Sequence, residues 1–196
     1  MTRRLPLVPT LIVAVAVAIM LGLGVWQLRR AAEKEALLAR YEQAASLPPA
    51  AWPTMPTKND DLPLFRRATG TCLEPGAQTV IAGRNRQGES GYSHLVDCRT
   101  GTEGPGMRVD IGWSRDPQAG SGWAGGPVSG VIAPDRDMRM RLVSGKGFAG
   151  LEGSAPPSPR DVPNNHQSYA IQWLLFALSA AIIYAIALRG RGTSPR

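Results

Sequence analysis

Histidine and cysteine are scarce in this chain, with two of each in 196 residues. His94 and His166 alone cannot build a histidine metal cluster, and no H-E-x-x-H helix is present to hold a protease zinc. A G-x-x-x-x-G-K-[ST] loop, a G-x-G-x-x-G turn and a G-x-S-x-G nucleophile elbow are missing as well. Gly145-Lys146-Gly147 and the glycines after Gly120 fit none of them. Nucleotide-dependent and hydrolytic chemistry thus find no support. Aromatics are few, at 6%. The 22 glycines and 17 prolines fall short of a low-complexity composition but imply many turns. No internal repeat is visible.

A distributed basic surface is also missing. The net charge of +7, from 22 Lys and Arg against 15 Asp and Glu, first suggests nucleic acid or an anionic membrane. Arg3, Arg4, Arg189, Arg191 and Arg196, however, occupy two short tails without any acidic residue, and the stretch between them is nearly neutral. No nucleic-acid partner is expected.

What the sequence does hold is two long uncharged runs, Leu5 to Trp26 and Val162 to Leu188. A helix needs about 20 apolar residues to cross a hydrocarbon core of roughly 30 Å. Both runs are long enough, and Trp26, Tyr169 and Trp173 fall near the span ends, where amphipathic rings prefer the interface. For the first run the alternative is a cleaved signal peptide, but its apolar stretch exceeds the usual signal core and lacks a clean small-x-small site. For the second it is a buried helix of a soluble domain. The purely basic tails place both termini inside, because Arg29 to Arg40 is offset by Glu33, Glu35 and Glu42.

The expected class is therefore an α+β membrane protein, in which two transmembrane helices flank a small β-rich external domain. Its parts are a cytoplasmic tail at 1–4, a span at 5–26, an external domain at 27–167, a span at 168–188 and a tail at 189–196. Inside the external domain, 27–45 reads as a helical extension, free of Gly and Pro and rich in Ala, Leu, Glu and Arg. A Pro-rich connector (46–64), a β core (65–150) and a Pro/Ser linker (151–167) follow. Strand candidates are Phe65–Cys72, Gln78–Gly83, Ser93–Asp97, Met107–Trp113, Val128–Ile132 and Arg139–Val143. In Met107–Trp113 the odd-numbered side chains are apolar, as on one face of a half-buried strand. An antiparallel sheet or a partly open barrel is expected. Cys72 and Cys98 are a disulfide candidate in an exported domain, with unpaired thiols or copper ligands as the alternatives.

His166 is the candidate site residue. If a helix begins near Asn164 or Asn165, then His166, Tyr169, Ala170 and Trp173 follow i, i+3, i+4, i+7 spacing and share one stripe. A neutral imidazole above aromatic and small residues at a membrane surface can be an axial haem-iron ligand. Arg29 or Arg30, close to Trp26 at the end of the first span, would then meet the haem propionates. The bland alternative is an interfacial histidine that hydrogen-bonds the linker. Gln27 and Gln172 are polar groups near the span ends and can bond across the two helices. His94, in an alternating strand, reads as structural.

Leu23-Gly24-Val25-Trp26-Gln27-Leu28-Arg29-Arg30, with Lys34 four residues on, resembles the G-x-W-Q-x-x-R-x-x-x-K signature of the surfeit locus protein 1 family. Asn164-Asn165-His166, followed by Tyr169-Ala170 and Trp173, is similar to that family's N-N-H-x-x-Y-A-x-x-W signature. Gly91-Tyr92 and Gly112-Trp113 resemble its internal G-Y and R-G-W strands, with Ile111 where the arginine is usual. The resemblance implies a non-enzymatic assembly factor for haem-copper cytochrome c oxidase. Such a factor receives haem a as transient cargo and helps it enter the catalytic subunit, with His166 the counterpart of the candidate ligand. It further implies haem a synthase and membrane lipid as partners. The alternative is a haem-independent scaffold that binds oxidase subunits through the external domain. A first span so close to the N-terminus leaves no room for a transit peptide, so a bacterial inner membrane with a periplasmic central domain is expected.

Overall fold

The computed structural model describes residues 6–53, 58, 61–102 and 106–190. The two tails beyond those residues, and with them Arg3, Arg4, Arg191 and Arg196, lie outside the described residues, as does most of 54–60 in the connector. The chain forms two compact units. One comprises the chain through Leu37 and from Pro163 on; the other is Leu38–Val162.

The first unit is a helix pair. α1 (Leu7–Ser46) has 40 residues, a length of about 60 Å, so a single helix contains both the apolar run and the polar extension. α2 (His166–Gly190) has 25 residues. Small residues close the pair: Gly24 and Ala31 of α1 and Ala170 and Ala177 of α2 are buried. A Cβ on Gly24 would come within 3.1 Å of Leu174 Cδ2, so a larger residue would require Leu174 to shift. At one end Tyr184 Oη lies 2.5 Å from Thr10 Oγ1, whose own proton goes to the Pro6 carbonyl at 2.8 Å. Tyr184 is therefore the donor.

At the other end His166 contacts Gln27, and Gln167 Nε2 donates to Glu35 Oε1 at 2.9 Å. These cross-links make the helices antiparallel. Most other large apolar side chains on both helices are exposed, including Ile12, Val15, Ile19, Ile171, Leu175 and Ile183. Both helices are long and apolar enough to cross a membrane. Their outward apolar faces suit lipid, and they exclude the alternative of a buried core helix.

The second unit is a seven-stranded sheet, ordered β1-β2-β6-β7-β5-β4-β3. The strands are β1 (Ala50–Ala51), β2 (Arg67–Cys72), β3 (Glu74–Arg84), β4 (Ser90–Arg99), β5 (Met107–Ser114), β6 (Gly126–Asp135) and β7 (Arg139–Ser144). All six expected strands are present, each within a few residues of its expected limits. The antiparallel expectation needs correction. β1 pairs with β2 in parallel, and so does β5 with β7, giving a mixed sheet. β6–β7 is a hairpin, but β7 then lies beside β5, and the crossover from β5 through β6 fixes the parallel direction.

β2 and β4 are separated by three strands in the sheet order, yet Cys72 and Cys98 are disulfide-bonded with Cα atoms 5.2 Å apart. The sheet is therefore strongly curled. Its core gathers Met107, Val109 and Ile111 of β5 with Val96, Val128, Ile132 and Leu142.

β5 also departs from expectation, because it is buried on both faces rather than half-buried. The second face is covered by polar partners. Arg108 pairs with Asp97 at 2.6 Å, Asp137 at 2.9 Å and Asp135 at 3.1 Å. Further along, the segment Leu151–Ala155 lies against the sheet. Trp113 N–H donates to Glu152 O at 2.7 Å and Glu152 N–H returns the bond at 3.0 Å, while Ala155 N–H donates to Arg84 O at 2.8 Å. This strap, assigned to the linker on composition, belongs to the domain. Gly112 makes it possible: its φ is +144°, and a Cβ there would sit 2.5 Å from Glu152 O.

Candidate functional site

The chain reaches α2 through a short 3-10 turn at Pro159–Asp161, then Pro163 and the two asparagines. Pro163 disfavours helix before it, and Asn165 O accepts the first helical bond, from Tyr169 N–H at 3.2 Å. His166 thus heads the helix. Its half-buried ring is turned toward α1, where Nδ1 lies 2.7 Å from Gln27 Oε1. A carboxamide oxygen can only accept, so Nδ1 carries a proton, and in the neutral ring Nε2 keeps its lone pair. Nε2 has no hydrogen bond among the described residues.

Along α2, His166, Ala170 and Trp173 form one stripe, and Ala170 is fully buried against α1. Trp173 is half-buried and meets Phe176 edge to face, with ring centroids 6.2 Å apart. Tyr169 sits on the flank of that stripe, 49% exposed. Asn164 Oδ1 is buried without a hydrogen-bond partner among the described residues.

On α1 the inward stripe is Gly24, Gln27 and Ala31, with half-buried Lys34 continuing it. At about 100° per residue, Arg29 points roughly 160° away from Gln27, so the structure does not bring it to His166. Arg30 lies roughly 60° from Gln27 but donates to Glu33 at 2.7 Å, an exposed pair of little energetic weight. Trp26 is 51% exposed on the flank of α1.

Of the two glutamines expected to bond across the helices, Gln27 does so. Gln172 projects roughly 120° off the α2 stripe and is exposed, and Gln27 bonds the histidine in its place. Nor does His166 bond the linker. The pairing joins residues 139 positions apart, so no local pattern announces it.

His94 contrasts with His166. It is fully buried, Nε2 lies 2.9 Å from Ser114 Oγ, and Nδ1 lies 3.1 Å from Gln78 Nε2. The Ser114 hydroxyl donates to the Asp116 carbonyl, so His94 must donate from Nε2 and accept at Nδ1. Burial pushes its pKa below the ordinary value, keeping the ring neutral. Both nitrogens are spent, which makes His94 structural. Among the described residues no group of three or more His, Cys, Asp or Glu could hold a metal ion.

An iron-bound macrocycle asks for a neutral nitrogen with a free lone pair and for apolar or aromatic flanks. His166 Nε2 would supply the first, and Trp173 and Tyr169 are the aromatic residues that follow it on α2. Two helices closed on one another by small residues, and a curled mixed sheet that lies between them in sequence, define a two-span, sheet-bearing class of membrane protein. The chain matches the SURF1 family over residues 14–178, and it belongs to that family. The family is known for cytochrome oxidase assembly and is one of assembly factors rather than catalysts. No curated protein matches the chain.

Proposed function

We propose that this protein receives haem a as cargo at the head of α2 and assists its insertion into the catalytic subunit of cytochrome c oxidase. The observation that carries this reading is the His166 ring, with Nδ1 held by Gln27 and Nε2 left open. Axial ligation requires that state of an imidazole. Trp173 and Tyr169 follow His166 along α2, and Trp26, Arg30 and Lys34 stand near Gln27 on α1, as aromatic and cationic candidates for the macrocycle and its propionates.

The cargo must be released, so one ligand at a partly exposed position suits transfer better than a sealed pocket. No bond of the cargo is made or broken by the protein, and no catalytic role is assigned. Haem a synthase is the proposed donor, membrane lipid the surroundings, and nucleic acid no partner. The domain Leu38–Val162 is proposed to face the periplasm of a bacterial inner membrane, with both termini cytoplasmic. The Cys72–Cys98 disulfide supports an oxidising compartment.

The test replaces His166 by Ala in cells that depend on this protein for their oxidase. The catalytic subunit is expected to accumulate with several-fold less haem a while still co-purifying with the variant. Full haem a content in the oxidase of the variant would overturn the cargo reading and favour a haem-independent scaffold.

A further inference from the structure

We infer that Gln27 is the positioning residue of the His166 site, and that its neutral carboxamide keeps haem affinity within a releasable range. The inference rests on the haem-cargo reading above. Gln27 lies on the buried stripe of α1 between Gly24 and Ala31, one turn from each. Its backbone position is therefore set on the face that packs against α2, since Gly24 stands against Leu174 and the Ala170 carbonyl. From there Oε1 reaches His166 Nδ1 at 2.7 Å.

This bond does two things. It selects the Nδ1–H tautomer, so the lone pair sits on Nε2, and it sets the direction in which Nε2 points. The Gln167–Glu35 bond on the following residue of α2 steadies the same turn.

The nature of the acceptor matters as much as its position. Metal-bound histidines commonly donate their second N–H to a carboxylate, which strengthens the bound nitrogen as a donor and stabilises the oxidised metal. Here the acceptor is a neutral amide, although carboxylates are close: Glu33 and Glu35 lie within eight residues on the same helix. Glu33 is engaged by Arg30, and Glu35 by Gln167. Neither is the partner of the ring. A neutral acceptor orients the imidazole without the added pull of a full negative charge, as a site that must let its ligand go requires.

The experiment uses the full chain in detergent, titrated with ferric haem, and compares wild type with Gln27→Leu and Gln27→Glu. Gln27→Leu is expected to weaken haem binding by about 10–100-fold. Gln27→Glu should instead slow haem dissociation and lower the midpoint potential of the bound iron. Equal affinity and potential in all three proteins would overturn the inference. So would equal weakening in both variants, which would reduce Gln27 to helix packing.

A haem-free measurement keeps the inference testable by itself. By nitrogen-15 NMR the wild-type His166 should be the Nδ1–H tautomer and His94 the Nε2–H tautomer, which distinguishes the two histidines. In Gln27→Leu only the His166 signal should move. An Nε2–H tautomer for wild-type His166 would overturn the positioning role. Haem binding equal in wild type and His166→Ala would instead sink the cargo reading beneath it, even with the Nδ1–H tautomer present.

Discussion

Ser154 Oγ donates to Asp110 Oδ1 at 2.6 Å, inside the sheet domain and out of reach of water, pinning the strap to β5. Burial pushes the Asp110 carboxyl above its ordinary pKa, against the opposing effects of Ser154, Arg141 and the Gly112 and Ser93 hydrogen bonds. A group raised on folding stabilises the fold when protonated, and its contribution is lost as pH rises through the folded value. Asp110→Asn keeps an acceptor for Ser154 and Gly112 N–H without the charge. Its denaturation midpoint should gain on wild type as pH rises from about 4 to 7. A gap between the two that stays constant with pH would contradict this account of Asp110.

His94 and Asp135 act in the opposite direction. Burial lowers the His94 pKa from 6.5, with Asp116 opposing. Burial pushes Asp135 up, yet the N–H groups of Met138 and Asp137 and the guanidiniums of Arg108 and Arg141 outweigh it and hold the carboxyl below the usual range. Both lowered values mean that the unfolded chain binds more protons, so stability falls as pH drops. The His94 part begins near its unfolded value of about 6.5, and the Asp135 part follows below about 4. Urea midpoints between pH 7 and 5 should fall for wild type and be flatter for His94→Gln. Parallel curves would argue against the buried neutral ring.

The Cys72–Cys98 bridge closes a separation of 26 residues between β2 and β4. Loop-closure entropy gives such a link about 3–4 kcal/mol. The double Ser variant should lose stability on that scale in chemical denaturation, and reductant should do the same to wild type. The haem spectrum should be left intact. Loss of oxidase copper in the double variant would instead favour the copper-ligand reading.

Gly112→Ala places a methyl group 2.5 Å from Glu152 O and 2.7 Å from Leu151 Cβ, at a φ of +144°. Strain and overpacking together should cost about 2–4 kcal/mol. The loss should be read in the unfolding free energy of the full chain, and a change under about 0.5 kcal/mol would show that the strap does not need this glycine.

The parts of the fold visible in the sequence are those with a local signature. Uncharged runs mark both helices, Gly/Pro-free Ala, Leu and Glu carry α1 out to Ser46, and β-branched segments mark six strands. β1 is two alanines paired with Ala68 and Thr69, so it has no pattern of its own. The alternation in Met107–Trp113 shows which residues face the core but not that the strap and three carboxylates cover the other face.

At the site, the signatures single out His166, Tyr169 and Trp173. What determines the chemistry is which nitrogen stays open, and that depends on Gln27 across 139 residues. For Arg29 and Arg30, proximity to a span end says nothing of the side of the helix on which each residue stands.

The central claim is that His166 Nε2 ligates haem a. The direct measurement is the visible absorption of the full chain, purified after co-expression with haem a biosynthesis and compared with His166→Ala. The account predicts that the variant loses most of the haem band and regains part of it when free imidazole is added, while His94→Gln keeps it. An undiminished band in His166→Ala would contradict the account.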